Sequence, residues 1–350
     1  QRALVIAPNL WEAHYNLGVL QRRRGAVEDA LASFEAALAI QPASDDALRA
    51  AAEASWALGD ERGASDRLER LVRRSPDDID ARVSLAVILR AQERWDDALA
   101  QAREVLVREP ASATALLVVA RIYRARDAYE VAKLVLQKAL ALAPEDDGLL
   151  RAEVYDEQGL LELARGDTQA AFEAFGLAIE ADATFTPARM NMGSVLLHAG
   201  DFAGARAQYE AVLAADEGAL DAKVALAIAR RGQGDARVAR RLYREVLRED
   251  PTHPDALLDY AILRADFLDE REASVETFEA FLAAAPRRHP GRAVAERYLA
   301  EIRAFAEAPA AAEDEGWVEE GGDPAEEEWV DEGDESWDEG AGDEEWEDLE

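Results

Sequence analysis

The sequence predicts an all-α chain: a right-handed superhelical solenoid of about eight helix–turn–helix units, a C-terminal capping helix and a disordered acidic tail. Three observations predict it. Proline recurs every 34 residues at Pro8, Pro42, Pro76, Pro110 and Pro144. Ala30, Ala64, Ala98 and Ala132 keep the same period, as do Gly25 and Gly59 and, further on, Gly166, Gly200 and Gly234. Alanine, leucine, arginine and glutamate dominate, with no long β-branched runs, which is a helical composition. A fixed period of this length marks stacked units, each too small to bury its own apolar face and each completed by its neighbours.

The elements follow in order. Residues 1–10 read as the end of a truncated preceding unit, with Ala3 and Pro8 in register, so the chain is expected to lack its natural N-terminus and any targeting segment there. Units one to four fill 11–146, beginning at Trp11, Asp45, Ile79 and Ala113. Gly59 and Gly166 are 107 residues apart, three periods plus five, which places an insertion at 147–151. The insertion is expected to bend the superhelix and split four units from four. Units five to eight fill 152–287, beginning at Ala152, Thr186, Leu220 and Pro254, with one extra residue before Phe278. Within a unit, Gly or Gly-Asp ends the first helix and turns the chain. Proline ends the second, because it cannot continue the hydrogen-bond ladder. Residues 288–307 carry Val294, Tyr298, Leu299, Ile302 and Phe305 at helical spacing and read as a helix capping the open end of the stack.

Residues 308–350 are a different material. The chain's formal net charge is −34, and this segment holds 21 acidic residues and no basic one. It cannot bury enough apolar surface to offset chain entropy and is expected to be disordered. Yet it holds Trp317, Trp329, Trp337 and Trp346, each followed by carboxylates, as in Glu328-Trp329-Val330-Asp331-Glu332. Tryptophan is enriched at interface hot spots, and four spaced copies suggest multivalent docking. The plainer alternative is an acidic solubilising tail.

Much chemistry is excluded. There is no cysteine, hence no disulfide, thiolate metal site or cysteine nucleophile. His14, His198, His253 and His289 lie in different units without ligand spacing, and no phosphate-binding glycine loop or nucleophile elbow occurs. Neither an enzyme nor a bound cofactor or metal is expected. The negative charge disfavours nucleic acid and anionic membrane surfaces, and no apolar run reaches the ~20 residues of a membrane helix. The partners expected are proteins or peptides. The alanine- and arginine-rich composition points to a GC-rich bacterial source, and cytoplasm and periplasm suit a cysteine-free chain alike.

The residues carry a resemblance. Trp11 opens a unit containing His14-Tyr15-Asn16-Leu17-Gly18, then Ala30, Phe34, Ala37 and Pro42. Met192-Gly193, Ala205 and Tyr209 repeat part of this pattern, as do Ala171, Phe175 and Ala178, and Ala239, Tyr243 and Pro251. The pattern resembles the tetratricopeptide repeat over residues 1–287. Unit two departs with Leu68 at the aromatic position and unit three with Ala102. The resemblance implies a scaffold or adaptor whose first helices line a concave groove. It places there Tyr15, Val83, Val87, Leu117, Leu160, Met190, Val224, Ile228, Leu258 and Ile262, with Arg90, Arg121, Arg124 and Arg231 along one rim. The lysine–asparagine clamp with which some relatives hold a C-terminal carboxylate is missing. An apolar groove with an arginine rim suits a tryptophan flanked by carboxylates, so the tail could meet its own groove or that of another copy. Alternatives are an autoinhibited regulatory or chaperone-like subunit, and a component of cell-envelope or gliding-motility machinery, whose arrays with acidic tails are similar.

Overall fold

A computed structural model describes residues 9–307. Residues 1–8 and the tail at 308–350, with Trp317, Trp329, Trp337 and Trp346, lie outside the described residues. The chain divides into two units, Gln1–Ile302 and Arg303–Glu350. The first is the helical body; of the second, only the end of the final helix is described.

All regular structure among the described residues is helical. The first helices of successive units are α1 (Trp11–Arg23), α3 (Asp45–Ala57), α5 (Ile79–Ala91), α7 (Ala113–Ala125), α9 (Gly148–Ala164), α11 (Thr186–His198), α13 (Leu220–Gly232) and α15 (Pro254–Phe267). The second helices are α2 (Val27–Ile40), α4 (Glu61–Arg74), α6 (Trp95–Arg108), α8 (Tyr129–Leu142), α10 (Thr168–Ala181), α12 (Phe202–Ala215), α14 (Ala236–Glu249) and α16 (Arg271–Ala284). A last helix, α17 (Arg292–Glu307), follows. Most neighbouring first helices touch one another, whereas second helices make no comparable contact among themselves. The first helices are therefore the inner layer of the stack and the second helices the outer one.

The turn between the two helices of a unit has one backbone shape throughout. Gly25, Gly59, Gly166, Gly200 and Gly234 hold φ between +76° and +86°. In the three units without glycine, Glu93, Asp127 and Asp269 take the same left-handed conformation, at φ 58°, 57° and 54°. The aspartate after glycine has its own task. Asp60 accepts the Gly63 N–H at 2.8 Å, Asp167 the Ala170 N–H at 3.0 Å and Asp201 the Gly204 N–H at 2.8 Å. Each caps the second helix by satisfying an otherwise orphaned donor. Ser44, Asp78 and Ser112 cap first helices in the same way.

Packing inside a unit is set by a complementary pair. The glycine of the Leu-Gly motif lies against the ring of the second helix: a Cβ on Gly18 would stand 2.6 Å from Phe34, and one on Gly193 2.5 Å from Tyr209. Gly159 meets Phe175 likewise. Units two and three hold Ala52 and Leu68, and Ala86 and Ala102, at the corresponding positions, and all four side chains are fully or almost fully buried in one cluster. The smaller residue on the second helix is matched by a larger one on the first, as close packing demands.

The insertion does not divide the stack. Its residues extend the first helix of unit five, so that α9 has 17 residues where most first helices have 13. Asp147 caps it, accepting the Leu150 N–H at 3.0 Å. Gly148 is required at its start, because a Cβ there would lie 2.6 Å from the Ala181 carbonyl oxygen. The core continues across the junction: Leu117, Leu136, Val154 and Leu161 belong to one buried cluster. At the C-terminal end, Ala295, Leu299 and Ile302 of α17 pack on Phe278 and Phe281, and Tyr298 stacks on Phe278 with centroids 5.0 Å apart. Phe305 is exposed.

Candidate functional site

The inner layer presents the residues that the resemblance places in a groove. Tyr15, Val83, Val87, Leu160, Met190, Ile228, Leu258 and Ile262 are half-buried on first helices, so each packs on a neighbour and keeps an open edge. Two expectations need correction. Leu117 is 1% exposed and Val224 5% exposed, so both are core residues and not groove contacts. Leu117 is lost to the groove because the lengthened α9 packs across α7, bringing Val154 and Leu161 into its cluster. Val224 is enclosed in the cluster built around Tyr209, Leu226 and Tyr243.

An apolar recess on this face lies between α11 and α13. Met190, Asn191, Leu197, Ala225 and Ile228 line a recess of about 530 Å³, with Tyr209 also on its wall. It is open to solvent and large enough for a bulky side chain. Burial pushes the Tyr209 hydroxyl up to about 12, so it stays neutral. Asn191 connects this recess to the charged part of the face. Its amide donates to Asp156 on α9 at 2.7 Å.

The arginines do not form a uniform rim. Arg124 makes two hydrogen bonds to the Glu157 carboxylate, the Nη2–Oε2 one at 3.4 Å, and Arg121 reaches Glu157 at 3.4 Å and Glu153 at 3.3 Å. Arg231 faces Asp259 at 3.6 Å and lies 5.4 Å above the Phe267 ring. Arg22 pairs with Glu53. Most of the positive charge is thus neutralised by the next unit. Arg90 differs: among the described residues it makes no ion pair, and its buried Nε has no hydrogen-bond partner. Its pKa is pushed below the ordinary guanidinium value by burial first, then by Arg121 and Arg124, with Glu157 opposing.

Two carboxylates on the same face are held far from their usual range. Burial raises Asp156 to about 6, against the Asn191 hydrogen bond and the arginines; adjacent Glu157 adds to the rise. Burial likewise raises Asp259 to about 6, with Arg231 opposing. Sequence reasoning, which counts Asp156 among the groove-facing positions, missed Glu157, Asp259 and Asn191 as members of the site. The signal was available. Arg124 and Arg231 occupy the twelfth position of their units, and the sixth position of the following units holds Glu157 and Asp259. After Arg90 the sixth position is Val118 and the ninth is Arg121, which explains why it has no counter-charge.

Among the described residues no group of three or more His, Asp or Glu is placed to hold a metal ion. No helix among them is long and apolar enough to cross a membrane.

Comparison with known proteins agrees with the geometry. Tetratricopeptide repeat models match residues 2–88, 85–147, 157–219 and 224–292. No curated protein matches the sequence. Among solved structures, yeast Tom70 superposes with a TM-score of 0.59 at 15% identity, covering 80% of this chain and 60% of that one. The APC/C hetero-tetramer Cut9–Hcn1 gives 0.58 at 14% identity, covering 79% of this chain and 52% of that one. A tetratricopeptide repeat protein from Parabacteroides merdae gives 0.50 at 16% identity, covering 74% and 98%. The chain therefore spans about half to three-fifths of the length of the first two. At these identities the structures share the fold alone. Repeat models covering most of the residues, on a stack of paired helices with this period, show that the chain belongs to the tetratricopeptide repeat family.

Proposed function

We propose that this protein is a scaffold that binds extended segments of other proteins along the inner face, favouring an apolar anchor next to carboxylates. The recess between α11 and α13 carries the reading. It is open, it is lined by Met190, Leu197 and Ile228, and it lies on the layer that the repeats expose to a partner. An anchoring side chain there removes apolar surface from water on both molecules, and further along the inner layer, on α5, Arg90 offers an unpaired guanidinium to a carboxylate elsewhere on an extended segment. The tryptophan–acid motifs around Trp317, Trp329, Trp337 and Trp346 have this chemistry, so segments like them, from another protein or another copy, are the ligand class.

A labelled synthetic peptide of residues 322–340, containing Trp329 and Trp337, is the probe. The receptor is the full chain with all four tail tryptophans changed to alanine, which removes competition from its own motifs. Saturable binding is expected, weakened about tenfold or more by Ile228→Asp and less by Arg90→Ala, with Arg90→Ala also flattening the salt dependence. Binding indifferent to both substitutions would place the peptide elsewhere and overturn the reading.

A further inference from the structure

Outer helix α14 carries an arginine stripe. Arg237, Arg241, Arg244 and Arg248 lie on the side opposite the buried Ala239, Leu242, Tyr243 and Val246, and all four are exposed. With Arg240 they line an open recess of about 350 Å³. Arg240 is committed to Glu270. Arg241 has only Glu245 of its own helix, at 3.8 Å. Arg237, Arg244 and Arg248 make no ion pair or side-chain hydrogen bond among the described residues.

The next outer helix carries the opposite charge in the same register. The buried residues Ser274, Thr277, Phe278 and Phe281 of α16 correspond one for one to those of α14, 35 residues on. In that alignment Arg237, Arg241 and Arg244 fall on Glu272, Glu276 and Glu279, all exposed. No other outer helix has three like charges there: α12 has Ala203, Ala207 and Glu210, and α10 has Gln169, Glu173 and Gly176. Two adjacent stripes of opposite sign at equal positions form a self-complementary surface. A two-fold axis lying between the helices and running along them sets each stripe of one copy against the opposite stripe of the other, residue for residue. That is the requirement for a closed, isologous interface.

From this charge register we infer that the outer faces of α14 and α16 dock a second copy of this chain, Arg237 against the second copy's Glu272 and Arg241 against its Glu276. The arginine stems supply apolar cover between the charged ends. Exposed ion pairs are individually weak, so the dimer is concentration-dependent. The copies also repel through their net charge of −34. At ~0.15 M salt that long-range repulsion is screened beyond ~8 Å while contact pairs persist, and at ~1 M the contact pairs are screened as well.

Sedimentation equilibrium of the full chain tests this at both salt concentrations. The expected result is a monomer–dimer equilibrium at ~0.15 M whose association constant falls about tenfold or more at ~1 M. Arg237→Glu with Arg241→Glu makes both stripes acidic, and Glu272→Arg with Glu276→Arg makes both basic. Each double variant is expected to be monomeric alone, and an equimolar mixture of the two to dimerise again, a rescue that misfolding cannot imitate. A wild-type chain monomeric at every concentration overturns the inference, as does a dimer untouched by the reversals or a mixture that stays monomeric. If the wild type stays monomeric while polyglutamate binds it and fails to bind the Arg237→Glu/Arg241→Glu variant, the stripe serves an acidic partner instead.

Discussion

Gly18 of α1 lies directly against the ring of Phe34 in α2, so close that a Cβ would stand 2.6 Å from the ring and 3.0 Å from the Ala30 carbonyl oxygen. Gly18→Val is therefore expected to destabilise the first unit by roughly 1–3 kcal/mol through overpacking. Gly18→Ala should fall at the low end, because alanine gains up to about 1 kcal/mol of helix propensity in return. Unit two has the compensating residues at the corresponding positions, with Ala52 and Leu68 buried in one cluster. Adding Phe34→Leu to Gly18→Ala should recover much of the loss. Urea midpoints of the single and double variants check this; a purely additive double variant would show that the two residues do not share the space.

Glu93, Asp127 and Asp269 hold a left-handed backbone that five glycines hold in the other units. A side chain in that conformation costs roughly 1 kcal/mol, and somewhat less for aspartate. Glu93→Gly is expected to stabilise by several tenths to ~1 kcal/mol, despite the added freedom of the unfolded chain. Asp127→Gly should gain less, because Asp127 accepts a hydrogen bond from the Tyr129 hydroxyl at 2.7 Å. Thermal melts rank the two, and a lower melting temperature for Glu93→Gly would contradict the assignment of strain.

Glu157 is 2% exposed and is the shared anion for Arg121 and Arg124. Glu157→Gln keeps its shape but leaves Arg90, Arg121 and Arg124 with less counter-charge. A loss of roughly 2–4 kcal/mol is expected, below the figure for a fully buried pair because the arginines are partly exposed. Combining it with Arg90→Met should return part of this by removing one repelling cation. A double-mutant cycle in denaturant measures the coupling, and zero coupling would mean that Arg90 does not sense the cluster.

Asp156 and Asp259 give the fold an unusual pH response. Both are held at about 6 in the folded chain, above the ordinary 3.8. The folded state therefore binds these protons more tightly than the unfolded state does. Their contribution is fully present below about pH 4 and is lost as pH rises through 6. Within this window the melting temperature should fall as pH rises, and Asp156→Asn with Asp259→Asn should flatten the slope. A slope unchanged in the double variant would show that other groups set it.

The period of 34 residues, the glycine turns and the prolines make the stack of helical hairpins readable in one dimension, because each reports a local backbone requirement that recurs with every unit. The resemblance to the tetratricopeptide repeat, carried by those recurring residues, similarly implies the face that carries Met190, Ile228 and Ile262. Other features exist only once the units are stacked. Whether Leu117 lines a groove or fills a core depends on how far α9 reaches across α7, and five extra residues could have formed a loop as readily as another helical turn. The arginines share the twelfth position of their units, yet Arg124 is neutralised and Arg90 is not; the sequence shows which following unit holds a carboxylate 33 residues on, but only stacking brings that carboxylate into contact and buries it. Local propensity and periodicity determined the elements of this protein; burial and charge pairing, which depend on distances between units, were decided by its tertiary structure.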